Sequence, residues 1–324
     1  MFEEYTEAEN GFGRLWAEKI EPGLALYGPE YEQKRRNSNF AWGVLAATGV
    51  VLYIFFSFFA SEKPTRPELL TFLGICVVGG GLAIFLAWPF IKLKEKYAEF
   101  LQGVVAEHFG HVFNKPEDDN AARETAHRLN DMKMVYKTGT RKYTNHYLGL
   151  YRDCDINMFN LEITERSNTG KGQSKTSYNY WIVEIAVPAA FKGEVQIRRD
   201  YGRIINKARN FSVKGKQVKF PHEAFEKKYE VYAEDAELAY QLISPAFCDN
   251  LLAIDALLPR GWFGSRRPIT GLFQNGKFAL VVNDFGDVFE NDSVAPAEVE
   301  NAARRIIARM NLPLEIVDYL HGDR

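Results

Sequence analysis

Cysteine is scarce in this sequence, and neither sign of charge dominates it. The three cysteines, Cys76, Cys154 and Cys248, lie far apart and form no CxxC pair. An odd, scattered set of this kind argues against a disulfide framework and is typical of a reducing compartment. The formal net charge is -2 over 324 residues, so we expect no nucleic acid as a partner.

The common motifs of catalysis and cofactor binding are also missing. The sequence has no GxSxG or HExxH motif, and no GxGxxG between a strand pattern and a helix pattern. The polar stretch SNTGKGQSKTS, residues 167–177, superficially resembles a phosphate-binding loop, but it fails the GxxxxGK[ST] spacing and no helix pattern follows it. We interpret it as a flexible hairpin loop, and we expect no catalytic residue, no cofactor and no metal ion.

Two small groups of residues are weaker candidates for a site. His108 and His111 could offer two metal ligands on one helix face, but His127 would have to be supplied by the fold as a third. Asp153 and Asp155 would point the same way from a predicted strand, where paired carboxylates can bind a hard cation or act as acid and base. Ordinary histidines and a solvated strand edge are the simpler interpretations.

Two long uncharged runs dominate the first third of the chain. They cover residues 41–60, AWGVLAATGVVLYIFFSFFA, and residues 69–91, LLTFLGICVVGGGLAIFLAWPFI. Each has about the 20 residues that a helix needs to cross the hydrocarbon of a bilayer. Neither run alternates with a period of two, so a barrel strand is excluded. The runs predict a transmembrane helical hairpin, and a pair of buried core helices is the alternative.

Positive charge flanks the two runs on their outer sides. Three cations precede the first run and three follow the second, whereas the connector SEKPTRPE has two cations balanced by two acids. By the positive-inside rule, both termini are expected in the cytoplasm. Trp42 and Trp88 would then be anchors at one membrane interface. The flanking cations are Lys34, Arg35, Arg36, Lys92, Lys94 and Lys96.

Small residues suggest how the two spans meet. Gly43 and Ala47 lie four positions apart on one face of the first span. The second span contains three consecutive residues without a side chain, Gly79, Gly80 and Gly81. Such faces let helix backbones approach closely in lipid. Neither span holds an ionisable residue, so the sequence gives no sign of an ion or proton pathway.

The rest of the chain divides into three further segments. Residues 1–39 carry an amphipathic stripe of Phe12, Leu15, Trp16 and Ile20 before the hairpin of residues 40–91. Residues 92–130 predict a helical connector. Residues 131–324 predict a cytoplasmic α+β domain with a mainly antiparallel sheet.

Three local signals support the α+β domain. The stretch from Tyr143 to Arg166 has strand composition, and Asn275-Gly276 between apolar runs predicts a hairpin. Ala295 and Pro296 begin a stretch with apolar residues at helical spacing.

A basic segment follows the predicted strands. Its cations would be drawn to anionic headgroups if the domain is tethered to a bilayer, and an ordinary solvated strand-and-turn region is the alternative. We hypothesise that the segment faces the membrane or an acidic partner. Its members are Arg198, Arg199, Arg203, Lys207, Arg209, Lys214, Lys216 and Lys219.

The stretch FEKKYEVYAEDAELAYQLISPAF resembles the signature EFExxFxVYxxDxxEAxxxLTPxF of a bacterial membrane-protein family, domain of unknown function 3137. Ala224, Tyr229 and Ser244 depart mildly from it, and the two-span layout and Phe191-Lys192-Gly193 resemble the family as well. The resemblance implies membership without a mechanism, since the family offers no catalytic residue to carry over. The signature itself has the character of a core with a helix cap. The residues that carry the likeness are Phe225, Glu226, Val231, Tyr232, Asp235, Pro245 and Phe247, with Glu237 and Leu242 each one position before the signature's Glu and Leu.

We therefore expect a non-enzymatic, membrane-anchored binding or scaffold protein of the bacterial inner membrane. Its partners would be the lipid bilayer and either another protein or a second copy of the chain. A membrane-tethered enzyme that uses carboxylates such as Asp153 and Asp155, and a subunit of a larger membrane complex, are the alternatives. An enzyme should have a deep pocket with convergent titratable groups, whereas a scaffold should expose an apolar or basic patch.

Overall fold

The computed structural model describes residues 2–58, 66–114, 120–136, 138–169, 172–187, 190–200, 215–257, 269–283 and 295–321. They form two compact units. The helical unit consists of Met1–Val104 and Asn291–Arg304, and the sheet unit consists of Val105–Glu290 and Arg305–Arg324. In the sequence analysis, the α+β domain was predicted to begin at residue 131.

Long helices make up most of the helical unit. In chain order they are α1 (Phe12–Leu15), a π-helical turn (Trp16–Ile20), α2 (Glu21–Phe58) and α3 (Arg66–His108). The predicted stripe of Phe12, Leu15, Trp16 and Ile20 is buried, which confirms the amphipathic helix at the N-terminus. Helices α2 and α3 have 38 and 43 residues. Each therefore continues well beyond the uncharged run it contains.

Helices α2 and α3 run antiparallel and touch along one seam. The Tyr27 and Tyr97 rings stack with centroids 3.9 Å apart, and at the other end Phe56 lies 5.2 Å from Phe72. Between them Thr48 fills the place where a Cβ on Gly79 would lie. The seam thus includes one of the predicted glycines.

The other small residues lie off this seam. Gly43, Gly80 and Gly81 have no atom within 4 Å of the position of a Cβ, and Ala47 is exposed. The prediction that Gly43 and Ala47 form the packing face is therefore wrong. Ala41 and Ala83 are buried instead, because a seam between two long helices follows a 3.5-residue period that passes beside Gly43 and Ala47.

Protein covers little of the apolar surface of the two helices. Both are long and apolar enough to cross a membrane, and only 6% and 11% of their most apolar windows are buried within the protein. Phe85, Val78 and Trp42 are among the most exposed apolar side chains. Core helices of a soluble protein have the opposite property, since their apolar residues are mostly covered.

The sheet unit contains nine described strands, and every pairing among them is antiparallel. Their order across the sheet is β1-β2-β3-β4-β9-β8-β5-β7-β6. The strands are β1 (Val112–Asn114), β2 (Thr140–Tyr151), β3 (Cys154–Thr169), β4 (Gly172–Ala186), β5 (Glu194–Arg199), β6 (Lys216–Val218), β7 (Tyr229–Ala233), β8 (Ile269–Gln274) and β9 (Lys277–Asn283).

Five further helices complete the described chain. They are α4 (Asn120–Asp131), α5 (Glu223–Glu226), α6 (Ala236–Leu242), α7 (Pro245–Leu257) and α8 (Val299–His321). A 3₁₀ turn at Pro296–Glu298 leads into α8, and Ala295 is its N-cap, which confirms the predicted helix start. An α+β unit built on an antiparallel sheet is therefore present, as the sequence indicated.

Tight turns define two of the hairpins. Asn275 and Gly276 both have positive φ and connect β8 to β9, so the predicted hairpin is confirmed. Arg152 and Asp153 also have positive φ and connect β2 to β3. The stretch that was interpreted as one strand from Tyr143 to Arg166 is therefore two strands. The prediction missed the turn because Arg-Asp is not a residue pair that specifies one.

Strands β3 and β4 extend much further than the sequence suggested. They pair from Ile156 with Ile185 out to Thr169 with Gly172. Most of the polar stretch 167–177, interpreted as a flexible loop, is therefore strand, and only residues 170–171 separate the two strands. At Ser167 and Ser174, no described strand pairs with the outer side of β3 or β4. The stretch also lacks the alternation of apolar residues that marks a half-buried strand, so its sequence did not predict a strand.

The residues of the family signature contribute to the core of the sheet unit. Phe225, Tyr229, Val231 and Phe247 are all buried. Asp235 is the N-cap of α6, and its side chain accepts a hydrogen bond of 2.9 Å from the backbone N–H of Glu237. The interpretation of the signature as a core with a helix cap is therefore confirmed.

Candidate functional site

Helix α4 covers one face of the sheet, and one half of its circumference is apolar while the adjoining half is mostly polar. Ala122, Ala126 and Leu129 join a buried apolar cluster with Phe159 and Ile182 of the sheet. A second stripe runs beside them along the helix, at the i, i+3, i+4 and i+7 positions that share a face. Its members are Ala121, Glu124, Thr125 and Arg128.

A cavity of about 390 Å³ lies beneath the polar half of α4. Asp155 and Asn157 are two positions apart on β3, and Glu184 and Ala186 are two apart on β4, so each pair faces the same side of the sheet. Strand pairing sets Asn157 beside Glu184 and Ala186 beside Lys277. The described residues that line the cavity are Ala121, Glu124, Thr125, Arg128, Leu148, Gly149, Asp155, Ile156, Asn157, Glu184, Ala186 and Lys277.

Glu184 is the centre of the polar network in this cavity. Its side chain is 4% exposed, and burial of an isolated carboxylate would be costly. Oε1 accepts hydrogen bonds from Lys277 Nζ at 2.8 Å and from Thr125 Oγ1 at 3.1 Å. Oε2 accepts one from Arg128 Nη2. The carboxylate is therefore neutralised by two cations and fixed by three donors.

The network continues into the sheet through neutral groups. Asn157 Nδ2 donates to Thr125 Oγ1 at 3.3 Å, and His146 Nε2 donates to Asn157 Oδ1 at 2.6 Å. The register of β2 against β3 shifts between Thr144 and Tyr147, and His146 lies in this irregular stretch. A bulge of this kind re-aims a side chain, which here brings a buried imidazole to Asn157, a lining residue of the cavity.

Arg128 has donor capacity that Glu184 does not use. Its Nη1 atom is buried and has no hydrogen-bond acceptor among the described residues. Burial lowers the pKa of Arg128, and the nearby charge of Glu124 opposes this effect. A guanidinium stays charged under these conditions. Arg128, which lines the cavity, therefore keeps one buried N–H donor that has no acceptor among the described residues.

The histidine pair of the sequence does not form a metal site. His111 is buried, and its ring occupies the space where a Cβ on Gly149 would lie. Neither of its nitrogens has a hydrogen-bond partner among the described residues, and burial lowers the pKa of His111 to about 4. His127 contacts Arg141 instead, at 3.4 Å. No group of three potential metal ligands occurs among the described residues.

The structure separates the two predicted aspartates. Asp153 lies in the turn between β2 and β3, and Asp155 lies on β3 at the mouth of the cavity. The prediction that both point the same way from one strand is therefore wrong.

The cysteines lack the properties of a nucleophile. Cys154 Sγ lies 3.4 Å from His321 Nε2. Burial raises the pKa of the Cys154 thiol, and the charges of Asp153 and Asp155 raise it further. Burial raises the pKa of Cys248 to about 12. Both thiols therefore stay protonated at neutral pH, whereas a reactive cysteine needs a lowered pKa.

The basic segment is only partly described. Arg199 Nη1 donates to buried Asp255 at 2.9 Å, and Arg198 Nη2 donates to Gln196 at 2.9 Å. Lys216 is exposed on β6, and Lys219 pairs with Glu226 at 2.9 Å. Both arginines thus point to partners inside the sheet unit. Arg203, Lys207, Arg209 and Lys214 lie outside the described residues.

Sequence reasoning missed most of the cavity. Of its charged residues only Asp155 was a candidate. Glu184 carried a signal, because it is the single acid in the apolar strand run WIVEIAV and a buried charge in a strand needs partners. Arg128 and Lys277 carried none, since they are separated from Glu184 by 56 and 93 positions in the sequence.

Comparison with known proteins gives one family and one solved structure. Residues 181–321 match a family described as "Protein of unknown function (DUF3137)". No curated protein matches the chain. The crystal structure of the mycobacterial trehalose monomycolate transport factor A, TtfA, is similar at 10% identity and a TM-score of 0.32, over 68% of this chain and 96% of that one. The family match over residues 181–321 includes the signature between Ala224 and Phe247, and it supports the resemblance seen in the sequence.

Proposed function

We propose that the chain is a membrane-anchored binding protein. Helices α2 and α3 cross the bacterial inner membrane as a hairpin, and the sheet unit lies in the cytoplasm. The observation that carries this proposal is the low coverage of the most apolar windows, 6% and 11%. So much apolar surface in water would be unfavourable, whereas lipid removes the penalty.

Charge and aromatic residues give the hairpin its orientation. Because α2 and α3 run antiparallel, Trp42 and Trp88 lie toward the same end of the pair, and the flanking cations lie beyond them. Lys92 Nζ is 5.1 Å from the Trp88 ring centroid and 2.5 Å from Glu95 Oε2. Tryptophan followed by lysine is the pattern of a membrane interface on the cytoplasmic side, so both termini belong in the cytoplasm.

The cavity under α4 favours binding over catalysis. Both oxygens of Glu184 accept hydrogen bonds from cations or a hydroxyl, so this carboxylate acts as a charge anchor rather than as a base. The thiols stay protonated. A membrane-tethered enzyme that uses Asp155 remains the alternative, because Asp155 does line the cavity and could be brought near a bound substrate.

Membrane fractionation of the full chain tests the anchor. We expect the protein in the membrane pellet, resistant to alkaline carbonate and to high salt, and released by detergent. A matched variant, Val78→Lys with Phe85→Lys, places two charges on exposed positions of α3 and should reduce membrane insertion. Full-length protein that stays in the soluble fraction without detergent would refute the anchor.

Affinity purification from native membranes in mild detergent tests the partner. A scaffold should retain a specific protein or a second copy of itself, and a subunit of a larger complex should retain several proteins in fixed ratio. Turnover of a small molecule by the purified chain, abolished by Asp155→Asn, would instead support the enzyme.

A further inference from the structure

We propose that the cavity under α4 binds a small zwitterion of the amino-acid class. The cavity volume of about 390 Å³ lies within the range of small-molecule sites in proteins. It lies entirely within the sheet unit, so the inference does not depend on the membrane hairpin. It specifies what the proposed binding protein binds.

Two cationic side chains of the lining suit a carboxylate. Arg128 Nη1 is a buried donor with no acceptor among the described residues. A buried donor without an acceptor lowers the stability of a protein, so an acceptor from a ligand would be favourable. Lys277 donates to Glu184 through one N–H, and its side chain is 51% exposed. Its ammonium therefore has further donors for a ligand. An arginine and a lysine that both have spare donors form a carboxylate-binding pair.

Two acidic side chains of the lining suit an ammonium group. Asp155 and Glu124 line the cavity from the sheet and from α4, and both are exposed. The charge of Glu124 also acts on Arg128, one helical turn away. Because Arg128 and Lys277 donate their hydrogen bonds to Glu184, the acceptor oxygens of Asp155 and Glu124 are left for a ligand. An ammonium that reaches both carboxylates would gain two charge-assisted hydrogen bonds.

The combination excludes simpler ligands. An anion alone would satisfy Arg128 but would meet the negative charge of Asp155 and Glu124. A cation alone would satisfy the acids but would leave the buried N–H of Arg128 unpaired. A molecule that carries both charges satisfies the cations and the acids of the lining, and the lining residues Leu148, Ile156 and Ala186 leave apolar surface for a short side chain.

Calorimetric titration of the purified full chain tests the inference. The probes are the twenty amino acids, and for each one that binds, the amine that lacks the carboxylate and the acid that lacks the amine. We expect at least one amino acid to bind at millimolar concentration or below, and both truncated analogues to bind at least tenfold more weakly. No binding by any amino acid, or equal binding of either analogue, overturns the proposal.

Three variants locate the site. Asp155→Asn removes an exposed carboxylate and should weaken amino-acid binding at least tenfold while the acid analogue is not weakened. Ala121→Leu fills the cavity from α4 and should abolish binding. His127→Leu also introduces a leucine, but on the exposed side of α4, and should leave binding unchanged. Unchanged affinity in Asp155→Asn overturns the proposal even if Ala121→Leu fails to fold, and none of these outcomes bears on membrane insertion.

Discussion

Three buried carboxylates among the described residues have cations within a few ångströms. Glu184 in the sheet unit has Arg128 and Lys277, and Glu9 in the helical unit has Arg304 Nη1 at 2.8 Å. Asp255 on α7 follows the same rule. A buried ion pair contributes little net stability compared with an apolar replacement, but removal of one partner leaves an uncompensated charge. The residue scale therefore predicts large effects from small changes at these positions.

Asp255→Asn should be strongly destabilising. Asp255 is buried, with Arg199 Nη1 at 2.9 Å from Oδ1 and Lys228 Nζ at 3.0 Å from Oδ2. Burial alone would raise the pKa of Asp255, but the Lys228 hydrogen bond and the charge of Arg199 outweigh it and lower the pKa. We expect a loss of about 3 kcal/mol, measured by chemical denaturation of the sheet unit within the full chain.

The matched control is Glu223→Gln. Glu223 pairs with Lys227 at 2.6 Å, but both side chains are highly exposed. Such a pair contributes no more than about 0.5 kcal/mol. Equal destabilisation by both substitutions would contradict the role assigned to Asp255.

His111 should make the sheet unit sensitive to mild acid. The folded pKa of His111 is about 4, below its ordinary value of 6.5. As pH falls below 6.5, the unfolded chain binds the proton first, so the free energy of unfolding decreases by up to about 1.4 kcal/mol per pH unit until about pH 4. His111→Leu should remove this slope in unfolding experiments between pH 7 and pH 4.

His127→Leu serves as the control for this experiment. His127 is exposed on α4, so the acid slope should stay as in the original chain. The assignment fails if His111→Leu retains the full slope.

At the scale of single elements, the helices could be predicted better than their contacts. Uncharged composition identified both long helices, because length and polarity alone distinguish them. The small residues did not predict where α2 and α3 contact each other. A glycine lies at a close approach only where the partner helix presents a side chain to it, and among the predicted glycines Gly79 alone does so, against Thr48.

Gly79→Ala should therefore weaken the helix pair, and Gly81→Ala should not. A Cβ on Gly79 would lie 2.2 Å from Thr48 Oγ1 and 2.7 Å from its Cγ2, whereas Gly81 has open space. We expect a loss of about 1–3 kcal/mol for Gly79→Ala from overpacking. Gly81→Ala should be neutral or stabilise by up to about 1 kcal/mol through helix propensity. Unfolding in mixed detergent micelles, followed by tryptophan fluorescence, measures both.

Thr48→Ala in the Gly79→Ala background should restore part of the loss, since it removes the atoms that Cβ would meet. The seam assignment is wrong if Gly79→Ala and Gly81→Ala behave alike.

Across the whole molecule, local signals were readable and long-range pairings were not. Asn275-Gly276 and Asp235 were predicted because a turn and a cap depend on a few adjacent residues. The sheet order places β9 beside β4 and β5 between β8 and β7, and such pairings depend on the complete fold. The cavity is assembled in the same way from α4, β3, β4 and β9, so its charges could not be grouped from the sequence.

The orientation of the hairpin is the prediction that concerns the chain as a whole. Six flanking cations and two tryptophans predict that both outer flanks lie on one side of the bilayer and the connector on the other. Glu32→Cys and Glu95→Cys mark the two flanks, and Glu62→Cys marks the connector, each in a chain whose three native cysteines are replaced by serine.

Labelling with a membrane-impermeant maleimide reads the orientation directly. In intact spheroplasts, the Glu62→Cys variant should react and the two flank variants should not, because the connector faces outward. All three should react after lysis, which controls for accessibility. Reaction of both flank variants in intact spheroplasts would invert the topology. Reaction of only one flank would mean that the chain crosses the bilayer an odd number of times, which two antiparallel spanning helices cannot do.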